Sequence, residues 1–157
     1  MSKKILAGLL PLWMCFVNSS FASEAEVMDV VNTLFEAMRE SDGEKVVSIF
    51  TENTRLMTVT ERDGQPVLLE NSITLFFEVI GQPHDEVWSE PIWDYRVEID
   101  GNLAQVWTKY AFFLGDDFDH CGVDAFQLFN GEDGWKIFQL VDTRHWEGCE
   151  LPEELEN

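Results

Sequence analysis

Basic residues are scarce in this chain. Its 157 residues hold ten Lys and Arg against 30 Asp and Glu, a formal charge of −20 at pH 7. Two of the ten, Lys3 and Lys4, precede Ser23 while every acidic residue follows it, so eight basic residues face 30 acids from there on, a formal charge of −22. Such a surface repels phosphate backbones and anionic membranes, and nucleic acid is excluded as an expected partner. Histidine and cysteine number only three each. The spacing of His120, Cys121, His145 and Cys149 matches no zinc pattern, so no metal ligation is expected. His120 and Cys121 are neighbours on a strand and point to opposite faces, which excludes a Cys–His nucleophilic pair. Glycine-rich phosphate loops and serine-hydrolase elbows are also missing, and no cofactor is expected. Only Ile5–Val17 forms a long apolar run, and its 13 residues, Pro11 included, fall short of the ~20 that cross a bilayer.

That run stands between a basic start, Ser2-Lys3-Lys4, and the small-x-small sequence Ser20-Phe21-Ala22. Residues 1–22 therefore read as a secretory signal peptide cleaved between Ala22 and Ser23, and the protein is expected in the periplasm or secreted, with no membrane attachment after cleavage. Acylation at Cys15 is disfavoured because bulky Met14 precedes it. The remaining 135 residues suit one domain, expected over 23–148, with an acidic, frayed tail over 149–157. Export makes a Cys121–Cys149 disulfide permissible. Folding the last hairpin about residues 132 and 133 sets Cys121 opposite residue 144. Cys149 lies five residues further on, ~17 Å if extended. Only a tail that reverses at Gly148 could close the bond.

Ser23 and Glu26 have capping-box spacing, and Val27, Val30, Val31, Leu34, Phe35 and Met38 recur at helical intervals up to Glu40. Ser41-Asp42-Gly43 ends this helix, and a shorter one carries Val46, Val47 and Phe50. A strand is predicted over 55–60 with a turn at Asp63-Gly64, then a third helix capped near Asn71 and stopped by Gly81 and Pro83. Four long strands follow, over 88–99, 103–114, 118–129 and 135–146. Short turns join them, so consecutive strands must be antiparallel. The expected fold is α+β, three N-terminal helices packed in a strongly curved antiparallel meander.

This order of elements, with Phe35-Glu36-Ala37-Met38 closing the first helix, Asp42 leading the second and Gly134-Trp135-Lys136-Ile137 opening the last strand, resembles the nuclear transport factor 2-like superfamily. The superfamily includes SnoaL-like polyketide cyclases, ketosteroid isomerases and scytalone dehydratases. The resemblance implies a cone with an apolar pocket at its open end. The aromatic residues of the strand half, among them Trp88, Trp93, Trp107, Trp135 and Trp146, would supply its walls.

Asp124 lies in Val123-Asp124-Ala125-Phe126-Gln127-Leu128-Phe129 and shares a strand face with His120, Phe126 and Leu128. A charge among such neighbours must be paired or have a raised pKa. Its context is similar to that of the protonated aspartate in ketosteroid isomerase, which donates to an oxyanion. However, residues 24–40 contain no tyrosine, and Thr58, Thr60 and Glu61 stand where that enzyme's general base is expected. Steroid isomerisation is therefore not expected. Asp124, His120 and Tyr110 remain candidates for acid–base work. Trp93, Tyr110, Phe112, Phe126, Asp142 and Arg144 are candidates to bind ligand, with Arg144 either anchoring an anion or paired to Asp124 or Asp142. The expected function is an exported protein that binds a small apolar or aromatic molecule. The alternatives are a cofactor-free isomerase, dehydratase or cyclase, and a module that forms homodimers through its outer sheet face.

Overall fold

The computed structural model describes residues 23–155. The predicted signal segment and Cys15 lie outside them. Ser23 opens helix α1 (Glu24–Glu40) with a complete capping box: its Oγ accepts from the Glu26 N–H at 3.2 Å, and Glu26 Oε2 accepts from the Ser23 N–H at 2.9 Å. Val27, Val31, Leu34, Phe35 and Met38 are buried along one side of the helix, and Ser41, at φ 54°, terminates it in the left-handed region. Asp42 caps α2 (Gly43–Ser48) by accepting from the Lys45 N–H.

Strand β1 (Phe50–Arg62) turns through Asp63-Gly64, both at positive φ, into β2 (Gln65–Asn71). The sequence pattern does not announce β2. Pro66 offers no N–H and adjacent Leu68 and Leu69 break the alternation, features an edge strand tolerates. Asn71 consequently does not cap the third helix. It ends β2 opposite Leu56, its Nδ2 donates to Thr58 Oγ1 at 2.9 Å, and Ser72 caps α3 (Ile73–Ile80) instead. The segment predicted as one strand over 88–99 is divided by Glu90-Pro91 into β3 (Trp88–Ser89) and β4 (Ile92–Asp100). β5 (Leu103–Leu114), β6 (Asp117–Gly131) and β7 (Gly134–Thr143) complete the sheet.

The strand order is β2-β1-β7-β6-β5-β3, with β4 also on β5. β4 to β7 form the antiparallel meander that the short turns require. β1, however, lies parallel to β7, so the sheet is mixed rather than antiparallel throughout. Parallel neighbours share no hairpin, and nothing local in the sequence marks the pairing. Register shifts interrupt the β1/β7, β4/β5, β5/β6 and β6/β7 ladders, the devices that bend a sheet. The core lies where α1 meets the sheet. Val27, Val31, Leu34 and Phe35 pack with Val106, Phe126, Leu128 and Ile137, and Phe35 meets Phe126 edge-on at 6.2 Å.

Beyond β7 the chain stays attached. His145 pairs with Cys121, one residue past the simple hairpin register because the β6/β7 ladder slips between Gln127 and Leu128. Gly148 adopts φ 74° and reverses the chain, which brings Cys149 to a disulfide with Cys121 at a Cα separation of 6.0 Å. The end predicted to fray is therefore fastened at its base, and Glu153–Leu155 forms a 3-10 turn.

Candidate functional site

A cavity of about 610 Å³ opens between α1, α3 and the concave face of the sheet. Its apolar side comes from Leu34 and Met38 of α1, Leu75, Phe76 and Val79 of α3, and Leu56 and Leu140 of the sheet. Trp88, Phe112, His120 and Trp146 add an aromatic wall, with the His120 ring 5.3 Å from Phe112 and 6.3 Å from Trp146. The polar side joins Thr58, Thr60, Asn71, Glu90, Tyr110, Asp124, Asp142 and Arg144.

Alternation along β6 and β7 places His120, Asp124, Asp142 and Arg144 together, as the sequence pattern requires. Asp142 is the satisfied carboxylate. Thr58 Oγ1 donates to its Oδ1 at 2.6 Å and Arg144 Nε donates to its Oδ2 at 2.7 Å. Arg144 is thus paired with Asp142 and not with Asp124. Asp124 is only 3% exposed, and its Oδ2 has no hydrogen-bond partner among the described residues.

Glu90 is the residue that strand patterning missed. The one signal was a charge followed by proline inside an aromatic run. Pro91 breaks the strand there, which turns Glu90 out of the alternation and into the cavity. Burial lifts Glu90 from 4.5 to about 8. The neighbouring Asp124 carboxyl opposes that rise, the charge of Asp142 adds to it, and Arg144 works against it. Asp124 is raised well above the ordinary aspartate value, first by burial, then by the charges of Glu90 and Asp142 and by the Glu90 carboxyl beside it. The two acids are coupled, so their titration belongs to the pair.

Tyr110 lines the cavity, but its hydroxyl donates to the Thr143 carbonyl at 2.8 Å. Burial, reinforced by the charges of Asp142, Glu90 and Asp124, pushes the phenol far up. That carbonyl engages the phenol proton, so Tyr110 offers none to the acid–base work expected of it with Asp124 and His120. Gly122 makes that reach possible. A Cβ there would overlap the Thr143 carbonyl and stand 2.8 Å from Tyr110 Cε1. His120 is 7% exposed within β6, and its Nδ1 lies 2.6 Å from Asp119 Oδ1.

Two predicted ligand contacts fall elsewhere. Trp93 pairs with Lys109 on the outer phase of the sheet, while its neighbour Ile92 pairs with inward-facing Tyr110. Phe126 is 1% exposed and packs on Phe35 in the core, so it does not line the cavity. Phe112, Asp142 and Arg144 lie where a ligand could touch them.

No family model matches the sequence, and no curated protein does. The architecture is more widely shared. A Novosphingobium aromaticivorans NTF2-like protein with a cystatin-like fold superposes at a TM-score of 0.63 with 10% identity, over 85% of this chain and 88% of that one. The chain has the NTF2-like fold. A Silicibacter pomeroyi NTF2-like protein of unknown function superposes at 0.57 with 20% identity, over 77% and 94% of the two chains. A Streptomyces avermitilis NTF2-like protein described as a candidate dehydratase superposes at 0.61 with 18% identity, over 78% and 96%. In NTF2-like terms the cavity is the space between the helices and the curved sheet. Sequence identity at this level carries the fold and no activity.

Proposed function

We propose that this is an exported protein that binds one small, largely apolar molecule in the cavity of its NTF2-like domain. The observation that carries the reading is the cavity itself. It has the volume of a small-molecule site, apolar and aromatic walls, and a few convergent polar groups on one side. Thr60 Oγ1 and Asp124 Oδ2 are buried there without the partners such atoms normally have. A ligand would supply them. Export rests on the basic, apolar and small-x-small succession of residues 1–22, and the disulfide is compatible with an oxidising compartment. A neutral aromatic alcohol, 4-phenylbutanol, tests the site by titration in two-dimensional amide NMR. Shifts clustered on Thr58, Tyr110, His120 and Asp124 are expected. Shifts confined to the outer face around Leu103 and Trp107, or none, would refute the reading.

A second reading draws on the same acids. A carboxyl pair that keeps a proton at neutral pH, beside a histidine fixed by Asp119, has the parts of a general acid and base. In that case Glu90 and Asp124, with His120, would move protons on a bound substrate without a cofactor, in an isomerase, dehydratase or cyclase reaction. Exchange of ligand C–H hydrogens with deuterated water, present with native protein and lost in Asp124→Asn, is the expected sign. Equal exchange in both would remove the enzyme reading.

A further inference from the structure

The polar side of the cavity is asymmetric in charge. Glu90, Asp124 and Asp142 face a single fixed cation, Arg144, and Arg144 is already engaged with Asp142. Asp142 also accepts from Thr58 and needs nothing more. The remaining pair has no cation of its own. Glu90 comes from the break between β3 and β4, and Asp124 from β6, where its Oδ2 is buried at the cavity wall without a hydrogen-bond donor. Of the other elements around the pair, β5 contributes Tyr110, with its hydroxyl turned to the Thr143 carbonyl, and β6 adds His120, with Nδ1 held by Asp119. β1, β2, α1 and α3 present only uncharged side chains to the cavity.

We infer that the cavity takes an organic cation, a protonated amine carried on an apolar body, with Asp124 and Glu90 as its counter-ions. This rests on the small-molecule reading above and narrows its ligand to one class. An ammonium N–H donates to Asp124 Oδ2, which no protein donor reaches, and the apolar body lies against Leu34, Leu75, Phe76 and Phe112. Trp88 and Trp146 line the same cavity, and their electron-rich rings favour a nearby cation. A carboxylate ligand would instead meet two acids, and Arg144 could turn to it only by leaving Asp142. The strongly negative surface concentrates cations around the mouth before binding. In the free protein the pair limits its negative charge by holding protons, since both carboxyls are raised. When the ammonium arrives, one of those protons leaves to solvent and the ammonium compensates the carboxylate it leaves behind. Binding therefore exchanges one cation for another, and it weakens as pH falls.

Three probes of one shape separate the outcomes: 4-phenylbutylamine, 4-phenylbutanol and 4-phenylbutyrate, titrated calorimetrically into the disulfide-bonded protein. At pH 8.5 the amine is expected to bind at least about tenfold more tightly than the alcohol, and the carboxylate more weakly than either. Between pH 8.5 and 6.5 the amine should lose more than about tenfold in affinity, since only the fraction of protein whose pair has released a proton is competent to bind it. The alcohol should stay nearly constant. Repeating the titration in buffers of different ionisation enthalpy should show close to one proton released per amine. Asp124→Asn, confirmed folded by its melting curve, should bring amine and alcohol together. An alcohol that binds as well as the amine, or a carboxylate preferred to both, overturns the inference and leaves the cavity reading intact. The absence of binding by all three, with no amide shifts around the cavity, overturns both.

Discussion

Replacing Glu90 with glutamine removes one titrating group from the buried pair while keeping its size and hydrogen-bonding capacity. The native Glu90 titrates at about 8 in the folded chain against 4.5 when unfolded, so the folded state holds a proton that the unfolded state has already released. The stability tied to this proton is complete below the unfolded value and is lost as pH rises through the folded one. Within that window one extra bound proton corresponds to a loss of about 1.4 kcal/mol for each pH unit. Coupling to Asp124 spreads the effect over the pair, so a slope difference of about 1 kcal/mol per unit between native and Glu90→Gln is the expected reading. Urea unfolding at pH 5, 6, 7 and 8, with the disulfide intact and no ligand, measures it. The surface charge is common to both proteins apart from residue 90, so the difference between them isolates this site. The two should be nearly equal at pH 5, and the variant should be the more stable by about 2 to 3 kcal/mol at pH 8. Parallel stability curves across the range would refute the assignment of a proton-holding pair to Glu90.

Four further outcomes follow from other features. Cys149→Ser should lower stability by about 3 to 4 kcal/mol, the chain-entropy value for the closed loop, whose ends lie 28 residues apart, and added reductant should do the same to the native protein. Gly122→Ala should cost roughly 1 to 3 kcal/mol and shift the Tyr110 and Thr143 signals in NMR, because its methyl group forces β6 away from the Thr143 carbonyl. Ser23→Ala should destabilise by about 1 kcal/mol through loss of half the capping box, visible in the urea midpoint. Mass analysis of the exported chain should give an N-terminus at Ser23. A start at Met1 or Cys15 would contradict the cleavage predicted from residues 1–22.

How far the sequence could be read depended on whether a feature is local. α1 was legible from its cap to its last turn because Ser23, Glu26 and the apolar spacing all act within the helix. The shared face of His120, Asp124, Asp142 and Arg144 was legible because alternation holds along β6 and β7 up to that point. The parallel contact between β1 and β7 was not, since the two strands are far apart in sequence and no turn joins them. Trp93 was placed on the wrong face because the β4/β5 register slips between Trp93 and Arg96, where Asp94 sits at φ 52°. Glu90 escaped for the same kind of reason. A proline moved it out of phase, so the most consequential acid in the cavity was the one that strand patterning could not orient.

Trp146 belongs to the cavity wall, yet it comes after the last hydrogen-bonded pair of the sheet and before the crosslinked Cys149. Cys149 lies outside every helix and strand, and its bond to Cys121 ties the Trp146 segment back onto β6. One side of the cavity mouth is thus fastened covalently and not by the sheet ladder. A binding assay therefore calls for protein in which that bond is intact. The crosslink couples the shape of the mouth to the redox state of its surroundings.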